Sequence, residues 1–138
     1  MPAKDIFHDA VKAGLEKEGW MITADPLWIE VEDSEGYIDL AAERVIAAQK
    51  GEQKIAVEIK SFVGKSQAND FHHALGQFLN YRLMLAEIEP DRTLYLAVPL
   101  DVYELFFGQW LPRKAVTQYD LKIIVYNPEK EVLVKWLS

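Results

Sequence analysis

The sequence contains no cysteine. That absence removes disulfide bridges, thiolate zinc sites and cysteine nucleophiles together, and it fits a cytoplasmic protein. No apolar run approaches the ~20 residues a membrane helix needs. The opening MPAKDIFHDAVKAG lacks a long apolar region and carries acids early, so it does not read as a secretory signal. Basic residues are also in deficit: 15 Lys and Arg stand against 22 Asp and Glu, for a net charge of −7. A generic basic nucleic-acid binder is thereby disfavoured, because phosphate contacts need concentrated Lys or Arg. A DNA enzyme can still take its electrostatics from a local basic rim, from metal ions or from a partner. Internal repeats and linkers are missing too.

What is present is core material. Half of the 138 residues are hydrophobic and 12% are aromatic, which excludes a disordered chain and suits one domain spanning residues 1–138. Asp5 is a candidate cap for a first helix running to about Glu18, with Phe7, Val11 and Leu15 at four-residue spacing. Trp20 to Thr23 reads as a short strand broken by Asp25-Pro26. Leu27 to Val31 reads as extended, before a polar turn at Asp33 to Gly36. From Tyr37 to Gln49 the signals conflict. Propensity favours a helix, but the turn signal Lys50-Gly51-Glu52 and the strong strand after it favour a long hairpin.

Beyond the hairpin, Ser66 can cap a helix from about Gln67 to Glu87, stopped by Pro90. Thr93 to Val98 is a buried-type strand. Helical pieces follow near Val102–Phe107 and Pro112–Tyr119, then strands at Leu121–Tyr126 and Val132–Leu137. The expected class is α/β (α+β): a mixed sheet flanked by helices, with a C-terminal β-hairpin. Trp28, Trp110 and Trp136 read as core or interface residues. His72 and His73 point some 100° apart on a helix, which suits surface histidines better than a chelating pair.

The chemistry concentrates in IAVEIKSF, residues 55–62. Alternation puts Ile55, Val57 and Ile59 on one face and Ala56, Glu58 and Lys60 on the other. A hairpin turn centred on Lys50-Gly51 makes Glu43 face Glu58, Ala41 face Lys60 and Asp39 face Phe62, all on one side. Asp39 then lies roughly 13 Å from its place opposite Glu58, unless a bulge intervenes or the turn sits nearer Ala48-Gln49. Either Asp39 or Glu43 is therefore the partner of Glu58. Carboxylates gathered on one face need a positive charge among them: Lys60, or a hard divalent cation such as Mg²⁺ or Mn²⁺. The plainer alternative is a cross-strand ion-pair face with Glu43 and Arg44 nearby.

These residues resemble the PD-(D/E)XK nuclease superfamily, through Asp39 in YIDL and Glu58 and Lys60 in VEIK. The order helix, strand, hairpin, helix, strand from Asp5 to Val98 is similar to that superfamily's restriction-endonuclease-like core. More closely, the whole chain resembles the XisH-like proteins, described as excision controlling factors for a DNA element that interrupts the fdxN gene. The stretches that carry this likeness are GWMITADPLWI, YIDLAAERVIAAQKG, KIAVEIKSF and HHALGQFLNYRLML. The resemblance implies that Asp39 and Glu58, with the Ile59 carbonyl, ligate Mg²⁺ or Mn²⁺ for phosphodiester hydrolysis. Lys60 would orient the attacking water or neutralise developing charge. It also implies a supporting role for Gln77, with Tyr81 one turn away, and an N-terminal acid, Asp9 or Glu16.

Three functional expectations follow. The first is a metal-dependent DNA endonuclease acting in DNA-element excision. The second is a non-enzymatic accessory factor that keeps a remnant site and binds a partner excision protein or recombinase. The third is an interaction module whose aromatic C-terminal half is the working surface. DNA, a partner protein and a second copy of the chain are the expected partners.

Overall fold

A computed structural model describes residues 4–46 and 51–138. The elements run α1 (His8–Lys17), β1 (Met21–Ala24), β2 (Leu27–Val31), β3 (Ser34–Ile38), β4 (Leu40–Ile46), β5 (Gly51–Ile59), α2 (Gln67–Ile88), β6 (Arg92–Pro99), α3 (Leu100–Leu105), α4 (Trp110–Gln118), β7 (Ile123–Asn127) and β8 (Val132–Leu137). Six strands form a mixed sheet in the order β1-β4-β5-β6-β7-β8, while β2 and β3 pair separately as a ribbon. The β5–β6 and β6–β7 pairs are parallel, and the others are antiparallel. The mixed sheet with flanking helices and a terminal strand pair is the class that the sequence pattern predicts.

The sheet separates two apolar layers, and β5 feeds both. Ile55, Val57 and Ile59 pack with Val11, Leu15 and Trp20 on the α1 side. Ala56 points the other way, into the layer built from Phe71, Phe78, Leu94, Leu96 and Val98 under α2. Each fully buried Ile or Leu contributes roughly 1.5–3 kcal/mol relative to exposure, so this alternation fixes which face β5 turns toward α2. Glu58 and Lys60 are on that face by period alone.

Helix α2 starts where the sequence signals it. Ser66 Oγ accepts from Asn69 N–H at 3.2 Å. Helix α1 starts later than expected, at His8, after a turn over Ile6 and Phe7; Asp5 Oδ1 accepts from Phe7 N–H at 2.9 Å within that turn, and Oδ2 accepts from Ser61 N–H at 3.0 Å. After β5 the chain turns at Phe62 with φ at 58°, a left-handed conformation unusual for a bulky residue. Its ring is held by Phe107 at 5.7 Å and Phe106 at 6.1 Å, which supplies the packing that such a conformation requires.

The hairpin register differs from the expected one by four residues: Glu43 faces Lys54, not Glu58, and Ala41 faces Ala56, not Lys60. Gly51 and Glu52, expected in the turn, are the first residues of β5. Lys50, with Ala47 to Gln49, lies outside the described residues. A second difference concerns Asp33 to Gly36. Only Glu32 and Asp33 turn, and Ser34, Glu35 and Gly36 form a strand opposite Val31, Glu30 and Ile29. The long strand expected from Tyr37 is therefore broken at Asp39, which bends the chain from the ribbon into the main sheet. No helix among the described residues is long and apolar enough to cross a membrane.

Candidate functional site

The four-residue register shift decides which acid meets Glu58. Leu40 is opposite Val57, so one step further brings Asp39 opposite Glu58. Asp39 Oδ2 accepts from Ile59 N–H at 2.7 Å, and Glu58 Oε1 accepts from Asp39 N–H at 3.3 Å. These reciprocal side-chain bonds replace the backbone ladder that the bend interrupts. Glu43 goes to the far end of the same face. Arg92, from β6, donates to Glu43 at 3.1 Å and to Glu89 at 3.2 Å, and also caps the Ile55 carbonyl at 3.0 Å. The expected ion-pair face therefore exists, but it belongs to Glu43 and Arg92. Arg44 lies over the Trp20 ring on the other side of the sheet.

Glu58 is only 3% exposed. Burial, and after it the adjoining Asp39 carboxyl, push its pKa up from 4.5 to about 9, with Lys60 pulling weakly the other way. The two residues are directly tied, by Asp39 N–H on Glu58 Oε1. A proton or a cation between them would relieve the same repulsion.

Around this pair opens a cleft of about 420 Å³ lined by Lys60, Gln77, Tyr81, Asp5, Trp28 and Tyr37, among others. Gln77 Nε2 donates to the Tyr81 hydroxyl at 3.2 Å, while Gln77 Oε1 is buried without a partner. Turning the amide over only exchanges which of its two polar atoms is left unpaired. An unpaired buried amide atom is costly and fits a site that takes a further ligand. Burial and the charge of Glu58 raise the Tyr81 pKa, which keeps its hydroxyl protonated. Tyr81 reaches the cleft because Gly36 has no side chain: a Cβ there would sit 2.8 Å from its ring.

Asp39, Glu58, Ile59, Lys60 and Gln77 all line this one cleft. Asp9 is exposed on α1, and Glu16 borders a different depression beside Asp25. The N-terminal acid at the cleft is Asp5, which helix capping alone could not single out. Trp28 was also missed as a site residue: it is 43% exposed at the cleft edge and not in the core. Trp110 is exposed as well, whereas Trp136 stacks on Trp20 at 5.6 Å. His72 and His73 are both exposed, as their spacing predicts.

No group of three or more His, Asp or Glu among the described residues is arranged to hold a metal ion. The donor set present still suits Mg²⁺ or Mn²⁺, ions of the class that keep several waters and take one or two carboxylates plus substrate phosphate. Within a strand the N–H and C=O of one residue point the same way. Because Ile59 N–H meets Asp39, the Ile59 carbonyl faces the acid pair too.

A family model described as "XisH protein" matches residues 1–134. Two solved structures share the fold closely. One is an XisH family protein from Nostoc punctiforme, 45% identical, with a TM-score of 0.89 over 97% of this chain and 100% of that one. The other is an fdxN element excision controlling factor protein from Anabaena variabilis, 47% identical, with a TM-score of 0.89 over 98% of this chain and 100% of that one. No curated protein matches the sequence.

Proposed function

The chain belongs to the XisH family, and from that membership and the cleft we propose a divalent-metal-dependent endonuclease acting in DNA-element excision. The observation that carries this reading is the opposition of Asp39 and Glu58 beside Lys60, with Glu58 buried at 3% exposure. Proteins do not retain a paired buried acid cheaply, and a bound cation removes its cost. This is also the arrangement expected of a PD-(D/E)XK-like site.

Asp39, Glu58 and the Ile59 carbonyl would hold the ion. Bound there, Mg²⁺ or Mn²⁺ would supply Lewis-acid stabilisation of a phosphoryl oxygen and a lowered pKa for an adjacent water, whose hydroxide form is the nucleophile. Lys60 orients that water and offsets the charge growing on the phosphate, an effect strengthened by the low dielectric of the cleft. The unpaired Gln77 Oε1 accepts one more hydrogen bond from water, and with the amide turned over Nε2 donates to a phosphate oxygen instead. Tyr81 holds that amide in place.

A second reading has its own observation. Asp5, Glu35, Asp39 and Glu58 line the cleft against Lys4 and Lys60, a poor balance for attracting DNA unaided. An accessory factor that docks a partner excision protein would tolerate it. The two readings part on incubation with branched, single-stranded and duplex DNA in Mg²⁺ or Mn²⁺. Cleavage of at least one substrate is expected, reduced at least ~100-fold by Glu58→Ala and by Lys60→Ala. Glu43→Gln should leave it unchanged. No cleavage of any substrate, with or without a partner protein, overturns the nuclease in favour of the accessory factor.

A further inference from the structure

The outer face of the ribbon carries a polar pair, Glu30 and Glu35, near its tip and an aromatic pair, Trp28 and Tyr37, beside it. Trp28 and Tyr37 are directly opposed across β2 and β3, with ring centroids 4.8 Å apart. Their neighbours Ile29 and Ile38 point inward and are 1% and 0% exposed, so the ribbon is anchored and the aromatic pair is presented outward. Trp28 is 43% exposed, yet it lines the same cleft as Asp39, Glu58 and Lys60. Packing against the core does not account for this placement.

Resting on the nuclease reading, we infer that Trp28 and Tyr37 form a stacking seat for one unpaired base of the strand whose phosphodiester reaches Asp39 and Glu58. The substrate class is then single-stranded DNA, or a nucleotide turned out of a duplex. Three features of the cleft converge on it. Its volume of about 420 Å³ is that of a small-ligand pocket, with room for a nucleotide. The ribbon tip carries exposed Glu30, Glu32, Asp33 and Glu35, which repel a duplex backbone laid along it. With so few cations present, affinity has to come from something other than phosphate attraction, and every base offers a π face.

The test uses a fluorescein-labelled 12-mer, single-stranded or annealed, read by anisotropy in Ca²⁺, with cleavage assayed separately in Mg²⁺. The wild-type chain is expected to prefer the single strand. Trp28→Ala should weaken single-strand binding by about 5- to 50-fold and leave duplex binding unchanged, whereas Trp28→Phe retains most of it. An abasic position in the oligonucleotide should reproduce the loss in the wild-type chain and add nothing to Trp28→Ala. Trp110→Ala, exposed outside this cleft, is the control. Unchanged single-strand binding by Trp28→Ala overturns the seat, as does equal loss on both DNAs or no binding by the wild-type chain. Binding of an arginine-rich peptide in place of DNA overturns it in favour of a cationic protein segment. Trp28-dependent binding without cleavage keeps the seat and removes the nuclease. Cleavage indifferent to Trp28 does the reverse.

Discussion

Two acidic clusters occupy opposite ends of one hairpin face and have opposite electrostatic fates. At the outer end, Glu43 and Glu89 close on Arg92, whose side chain is only 6% exposed. At the inner end, Asp39 and Glu58 close on each other, with Lys60 too weak an influence to hold Glu58 ionised at neutral pH. One hairpin face thus carries a saturated acid, Glu43 on Arg92, at one end and an unsaturated pair, Asp39 and Glu58, at the other. A charged residue in a sheet is informative through its counter-ion: Arg92 takes up the acids at one end, whereas Asp39 and Glu58 share their cleft with Lys60 and stay unsaturated.

That contrast can be broken from either side. Removing the cation from the saturated end has the largest expected effect. Arg92→Ala should cost about 3 kcal/mol in urea denaturation, because it strands Glu43, Glu89 and the Ile55 carbonyl together. A loss under about 1 kcal/mol would show that this cluster is ordinary surface. Next comes neutralising the unsaturated end. The Glu58 pKa is raised on folding, from 4.5 to about 9, so the folded chain binds a proton more tightly than the unfolded one. The resulting penalty is absent below about pH 4.5, grows as pH rises and is complete above about pH 9. Glu58→Gln should remove that slope and make the chain more stable than the wild type at pH 8 without metal. Mg²⁺ should raise the thermal midpoint of the wild-type chain and not of the variant; identical pH slopes would refute the buried-acid account. Smallest is Gly36→Ala, which sharpens the inner end alone by pressing a methyl on Tyr81. About 1 kcal/mol of stability should be lost, along with the bond from Gln77, whatever the state of the Arg92 cluster.

Much of this contrast was legible in the sequence, and the part that was not has a physical cause. Alternation in IAVEIKSF places Glu58 and Lys60 on one face because a core lies behind the other, and burial enforces a period of two. The register of the hairpin was not legible. Gly51, Glu52, Gln53 and Lys54 are polar and carry turn-like character, yet they pair with Ile46 to Glu43 at an end of the hairpin where little burial fixes the alignment. Misplacing them moved Asp39 away from Glu58 and put Glu43 in its place. The ribbon was missed for a related reason. Ser34, Glu35 and Gly36 have weak strand propensity, and only pairing with Ile29 to Val31 and the fit of Gly36 on Tyr81 make them a strand. Gln77 and Tyr81 were readable as a pair from their spacing. Asp5 was not readable as a site residue, since its bond to Ser61 joins parts of the chain 56 residues apart.

The bend at Asp39 has a consequence of a different kind. One residue belongs to neither sheet, so it uncouples the ladder of the ribbon from the ladder of the main sheet. Residues can be added or exchanged at the Glu32-Asp33 turn without passing a register error into β4, β5 or the acid pair. The wall of the cleft is therefore free to diversify while its floor stays constant. For an experimenter, the same turn is the place to insert a reporter that senses the cleft and leaves the Asp39–Glu58 pair in place.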